Sequence, residues 1–172
     1  VLDSSASWRK MLLQMEDAMN YSRKKSAVLA VAEPAAASPY VRMGQLVGRK
    51  IESEADVLAL VRKGLPARAA LGFAEKRVVD PKLIAPESTL RRRVEHNQLL
   101  TVDESERMMR LARITSLAES LFGDEAKARA WLSTPRALVS GEPPMSPLAL
   151  AITESGARIV ESILLRVEYG MP

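Results

Sequence analysis

The side chains best suited to chemistry fall within one short stretch: Ser88, Thr89, Arg91, Arg92, Arg93 and His96. Guanidinium forks pair bidentately with guanine edges and with phosphate oxygens, and hydroxyls reach either. That is the chemistry of nucleic-acid recognition, not of bond breaking. His96 is the chain's single histidine. Nothing in sequence pairs with it as base or ligand, so it reads as a solvent- or DNA-facing imidazole. The absence of cysteine excludes disulfides, thiolate metal sites and a cysteine nucleophile. Asp103, Glu104 and Glu106 read as charges complementing the positive end of a helix dipole, not as paired catalytic acids. The eight glycines are isolated and form no phosphate-cradling loop. No catalytic residue, metal site or cofactor is expected.

Helical geometry divides the labour among the three arginines. At about 100° per residue from Leu90, Val94 lies at about 40°, so these two define a buried face. Arg92 lies at about 200° and points outward, where it could read a guanine. Arg91 and Arg93 fall on the flanks, at about 100° and 300°, closer to phosphates that position without specifying sequence. Ser88 and Thr89 sit near the helix start and can reach bases or backbone.

The elements that must carry these residues are helical. Strand-like alternation is nearly absent, and aromatics make up only 4% of the chain, so the core must come from Leu, Val, Ile, Ala and Met. Trp8, Met11, Leu12, Met15 and Met19 form one apolar stripe on a helix expected over 7–25, followed by an Ala- and Pro-rich linker. A second unit begins near Gly44. Ser53-x-x-Asp56 marks a helix start, Gly64 a stop, Leu65-Pro66 and Asp80-Pro81 further starts, and Pro86 opens the arginine helix. This succession of short helices is a helix-turn-helix pattern. Thr101-x-x-Glu104 is a capping box for a long helix ending at Gly123; Asp124 caps the next, which carries Trp131 as a core anchor and stops before Pro135. Residues 136–147 read as a loop, and a last helix runs from Pro147 or Thr153 to Tyr169.

The fold class is therefore all-α, with three parts: 1–43 an amphipathic helix and linker, 44–98 a helix-turn-helix-like DNA-binding and dimerisation domain, and 99–172 a second helical domain. Charge is divided accordingly. Residues 1–100 hold 17 Lys/Arg and 11 Asp/Glu, the remainder 8 and 10. A basic front half suits a polyanionic partner. No run approaches eighteen apolar residues and no signal-peptide pattern opens the chain, so a cytoplasmic protein without membrane association is expected.

In the last helix, Ile159, Val160, Ile163, Leu164 and Val167 form the inward stripe, with Ile163 taken as reference. Leu165, Arg158 and Tyr169 then lie at about 200–240° and Arg166 at about 300°. Apolar groups facing away from the core read as a docking face.

The string Thr101-Val-Asp-Glu104 to Arg113, with Phe122-Gly-Asp124, Trp131-Leu132, Thr153-Glu-Ser-Gly156 and Val167-Glu-Tyr-Gly170, resembles the toxin-binding domain of Xre-type bacterial antitoxins, partners of RES-domain toxins. The match runs from about Ser88 to Gly170, and Ser88–Arg92 is similar to that family's recognition segment. The family often carries a hydroxyl residue where Pro86 stands, and its Pro-Leu pair follows Leu-Gly-Gly more closely than Pro147-Leu148 follows Leu138–Gly141 here. The resemblance implies a homodimer with two partners: operator DNA, bound to repress its own operon, and an NAD-degrading RES toxin whose entrance the chain end covers. It implies toxin contacts at Arg158, Leu165, Arg166, Glu168, Tyr169 and Gly170. The alternative is a free-standing helix-turn-helix transcriptional regulator whose C-terminal domain dimerises or senses something else.

Overall fold

The computed structural model describes residues 38–77 and 79–169, with side chains described up to Arg166. The helix expected over 7–25 lies outside these residues, as does Gly170. Eight α-helices and no strands occur among the described residues, so the chain is all-α. In chain order they are α1 Pro39–Val47, α2 Glu54–Lys63, α3 Ala67–Arg77, α4 Glu87–Glu95, α5 Val102–Phe122, α6 Glu125–Ser133, α7 Pro147–Leu150 and α8 Glu154–Tyr169, with a 3-10 turn, Pro81–Leu83, between α3 and α4. No helix among them is long and apolar enough to cross a membrane.

Local chemistry accounts for the helix ends. Ser53 and Asp56 form a reciprocal capping box on α2, and Thr101 and Glu104 form another on α5. Asp124 accepts the Lys127 amide at 2.8 Å and starts α6. Gly48 and Gly123 close α1 and α5 in the left-handed conformation, at φ 65° and 60°, where a side chain would be strained. Thr153 caps α8 through the Gly156 amide at 3.1 Å. Gly156 is required by packing: a Cβ there would lie 1.9 Å from the Leu150 carbonyl oxygen.

Helix α5 is the spine, roughly 32 Å long at about 1.5 Å per residue. It contacts α1, α2, α6 and α8. Met108, Leu111, Ala112, Ile114 and Ala118 are fully enclosed along it. Trp131 anchors α6 as expected: its ring lies 5.9 Å from Phe122, with the Arg136 guanidinium 5.5 Å above it. The Arg136–Met145 antiparallel bridge closes the loop between α6 and α7.

The expected boundaries at 43/44 and 98/99 do not separate independent cores. Pro39 is the first residue of α1, which runs across position 43 with Met43, Leu46 and Val47 buried. At 98/99, the Leu100 amide donates to the Leu65 carbonyl at 2.7 Å and the Ala67 amide to that of Gln98 at 3.1 Å. The buried Ser105 hydroxyl accepts the Leu65 amide at 3.0 Å. One hydrophobic cluster runs from Met43 to Leu164.

Two candidate binding faces

The first face is α4. Leu90 is fully buried and Val94 half-buried, so the helix presents the side that its wheel implies. Ser88, Arg91, Arg92 and His96 are exposed and Thr89 is half-buried. Arg92 has no hydrogen-bond or ion-pair partner among the described residues, whereas Arg91 pairs with Glu87 at 2.6 Å one turn back. His96 is the C-cap residue, its amide donating to the Arg92 carbonyl at 3.1 Å. Pro86 gives α4 no side-chain cap, in line with the departure noted in sequence.

Arg93 differs from Arg92 in being paired across to α5. Its guanidinium pairs with the Glu104 carboxylate, and the two side chains are only 15% and 12% exposed. Glu104 also accepts the Thr101 amide at 2.8 Å. Burial alone would raise the Glu104 carboxyl, but the Thr101 amide and Arg93 together hold it below its ordinary value.

Sequence reasoning also missed the arginines of α5. Arg107 donates to the Ile84 carbonyl at 2.8 Å, just ahead of α4. Arg110 bonds the Ile152 carbonyl and pairs with Glu154 at 3.1 Å; Arg113 pairs with Glu161 at 2.6 Å. Burial would raise Glu154, but Arg110, Arg158 and Arg113 hold it low. The available signal was spacing: 104, 107, 110 and 113 recur every third residue and drift slowly around the helix, so successive residues meet successive neighbours. At the other end of α5, burial raises Glu119 despite Arg77 at 3.1 Å.

The second face is α8. Ala157, Val160 and Leu164 are fully buried against the core, and Ile163 is half-buried. Ile159 departs from its expected inward place, at 36% exposed. Arg158, Ile159, Ser162, Leu165 and Arg166 together make an outward strip of mixed apolar and basic character. Of these, Arg158 contacts Glu154 at 3.3 Å but stays 76% exposed. Val167, Glu168 and Tyr169 continue α8, their side chains outside those described. The structure thus brings Arg158, Leu165 and Arg166 together on one surface, and Ser88, Arg91 and Arg92 on another.

Comparison with known proteins bears on the second face. The profile of the antitoxin Xre/MbcA/ParS C-terminal toxin-binding domain matches residues 117–170, from the last turns of α5 through α8. An antitoxin Xre of Pseudomonas putida is 36% identical over 124 residues, covering 70% of this chain and 76% of the relative. Antitoxins Xre of Yersinia enterocolitica and Photorhabdus laumondii are 40% and 38% identical over 87 and 72 residues, which is 50% and 41% of this chain and 57% and 47% of theirs. The first of these likenesses extends well beyond the profile match, and the chain belongs to the Xre family of antitoxins, as a component of a toxin–antitoxin system.

Proposed function

We propose that this antitoxin neutralises a RES-domain toxin by occlusion and represses its own operon as a DNA-bound homodimer. The outward strip of α8 and the chain end, Arg158, Leu165, Arg166, Glu168, Tyr169 and Gly170, cover the entrance to a toxin site that consumes NAD. NAD is the partner's substrate and needs no group from this chain. The observation that carries the reading is the outward strip itself: Leu165 is 39% exposed on a helix whose opposite side is fully buried, inside the segment matching a toxin-binding profile. Arg166 supplies a cation for an acidic group at that entrance. A charge pair desolvated at an interface is worth more than a surface pair, and breaking it costs about 2–5 kcal/mol.

DNA recognition falls to α4. Arg92 enters the major groove, with Ser88, Thr89, Arg91 and His96 around it, while the basic first hundred residues supply attraction to the polyanion. On this reading the protein acts in the cytoplasm.

Truncation after Leu164 tests the toxin half. Val160 and Leu164 keep α8 docked, so the truncate folds and retains its DNA-binding residues. Co-expressed with the RES-domain toxin, it fails to protect growth or intracellular NAD. Full protection by a stably expressed truncate would move the toxin contacts to residues 101–150.

A further inference from the structure

We propose that Glu104 is a positioning residue for DNA reading: by holding Arg93 against α5 it fixes the roll of α4, so that Arg92 and not Arg93 meets the bases. The inference rests on the reading of α4 as the DNA-contacting helix.

Helix α4 is short and weakly anchored by its own chemistry. It starts at Pro86 without a side-chain cap, and Leu90 is its only fully buried side chain. Leu90 and the half-buried Val94 give a short helix a narrow apolar face, and roll about its axis decides which of three consecutive arginines faces outward, since each step is about 100°. A further restraint comes from α5, which holds the chain just ahead of α4 and the last turn of α4 itself. Arg107 bonds the Ile84 carbonyl at 2.8 Å, ahead of the first turn, and Glu104 pairs with Arg93 in the last turn. The second grip sits on the opposite flank of the buried face from Arg91, so together with Leu90 it resists rotation in both directions.

Glu104 has two tasks that can be separated. It caps α5 by accepting the Thr101 amide, a task that glutamine also performs in capping boxes. It also neutralises Arg93, which requires the carboxylate. Glu104→Gln therefore keeps the cap and releases the cation. Arg93→Gln removes the cation and leaves the cap untouched.

The test uses the full chain and two duplexes, one from immediately upstream of its own reading frame and one of shuffled sequence, with affinities measured by fluorescence anisotropy over a range of salt. The wild type prefers the upstream duplex. In Arg93→Gln, discrimination falls about tenfold, while the slope of log affinity against log salt is unchanged because Arg93 touches no phosphate. In Glu104→Gln, discrimination falls similarly and the slope steepens by about one, because the released Arg93 reaches the backbone. The double variant returns the slope to wild type. Circular dichroism checks the fold, and should Glu104→Gln fail to fold, Arg93→Gln alone decides. A flattened slope in Arg93→Gln would make Arg93 a phosphate contact and overturn the proposal, as would undiminished discrimination in it. Equal affinity of the wild type for both duplexes would overturn the DNA reading itself, and this inference with it.

Discussion

Replacing Leu165 by aspartate should separate folding from toxin neutralisation. Leu165 is 39% exposed, one residue past the fully buried Leu164, so the change leaves the inward side of α8 intact. Surface substitutions of this kind shift stability by at most about 1 kcal/mol. The effect on the complex is much larger. Removing the apolar contact costs about 1–1.5 kcal/mol. Burying an uncompensated carboxylate in the interface brings the total to about 3–5 kcal/mol, within the range of a binding hot spot. Affinity for the toxin then falls by roughly two to four orders of magnitude. Calorimetric titration of catalytically inactive toxin with Leu165→Asp measures this directly, alongside a thermal melt of the free antitoxin. Leu58→Asp is the control: Leu58 on α2 is 49% exposed, so its replacement should be equally mild for folding and should leave toxin affinity unchanged. Unchanged affinity in Leu165→Asp would refute the assignment of the α8 strip. A collapse of the melting temperature would refute the claim that this side chain is dispensable for the fold.

Three further outcomes follow from packing and charge. Gly156→Ala places a Cβ within 1.9 Å of the Leu150 carbonyl and should destabilise the chain by about 1–3 kcal/mol or more, read by denaturant unfolding. Thr115→Val removes a hydroxyl buried at 3% exposure with no partner among the described residues, so the same measurement should find it neutral or stabilising by up to about 1–3 kcal/mol. Glu104 and Glu154 are held below the ordinary value of 4.5, so the stability they contribute is full above that value and is lost as pH falls through their lowered values; Glu104→Gln and Glu154→Gln should each flatten the acid limb of stability against pH.

What was legible in the sequence was punctuation. Ser53, Thr101 and Asp124 start helices, Gly64 and Gly123 stop them, and Trp131 marks a core anchor, because caps and left-handed stops are satisfied within a few residues. Roll was legible where a large side chain marked it, as with Leu90 and the outward Arg92. It was misread on α8, where Ala157, not Ile159, carries the packing. A helix that approaches its neighbour closely does so over small residues, and a stripe drawn through the largest side chains misses that centre. The partner of Arg93 was not legible either. Periodicity gives the direction of a side chain relative to its own helix, not which carboxylate across a turn will meet it. The same limit hid the backbone clip between Leu65 and Leu100, which joins segments expected to lie in separate domains.

The most direct test of the central claim is to co-express the tagged chain with the product of the adjacent reading frame, which the proposal requires to be a RES-domain toxin, purify by the tag, and measure NAD consumption before and after the antitoxin is stripped away. The account predicts a stable complex that leaves NAD intact and a released toxin that consumes it. Recovery of the antitoxin alone, with the toxin active beside it, would contradict the account and favour a regulator acting on DNA without that partner.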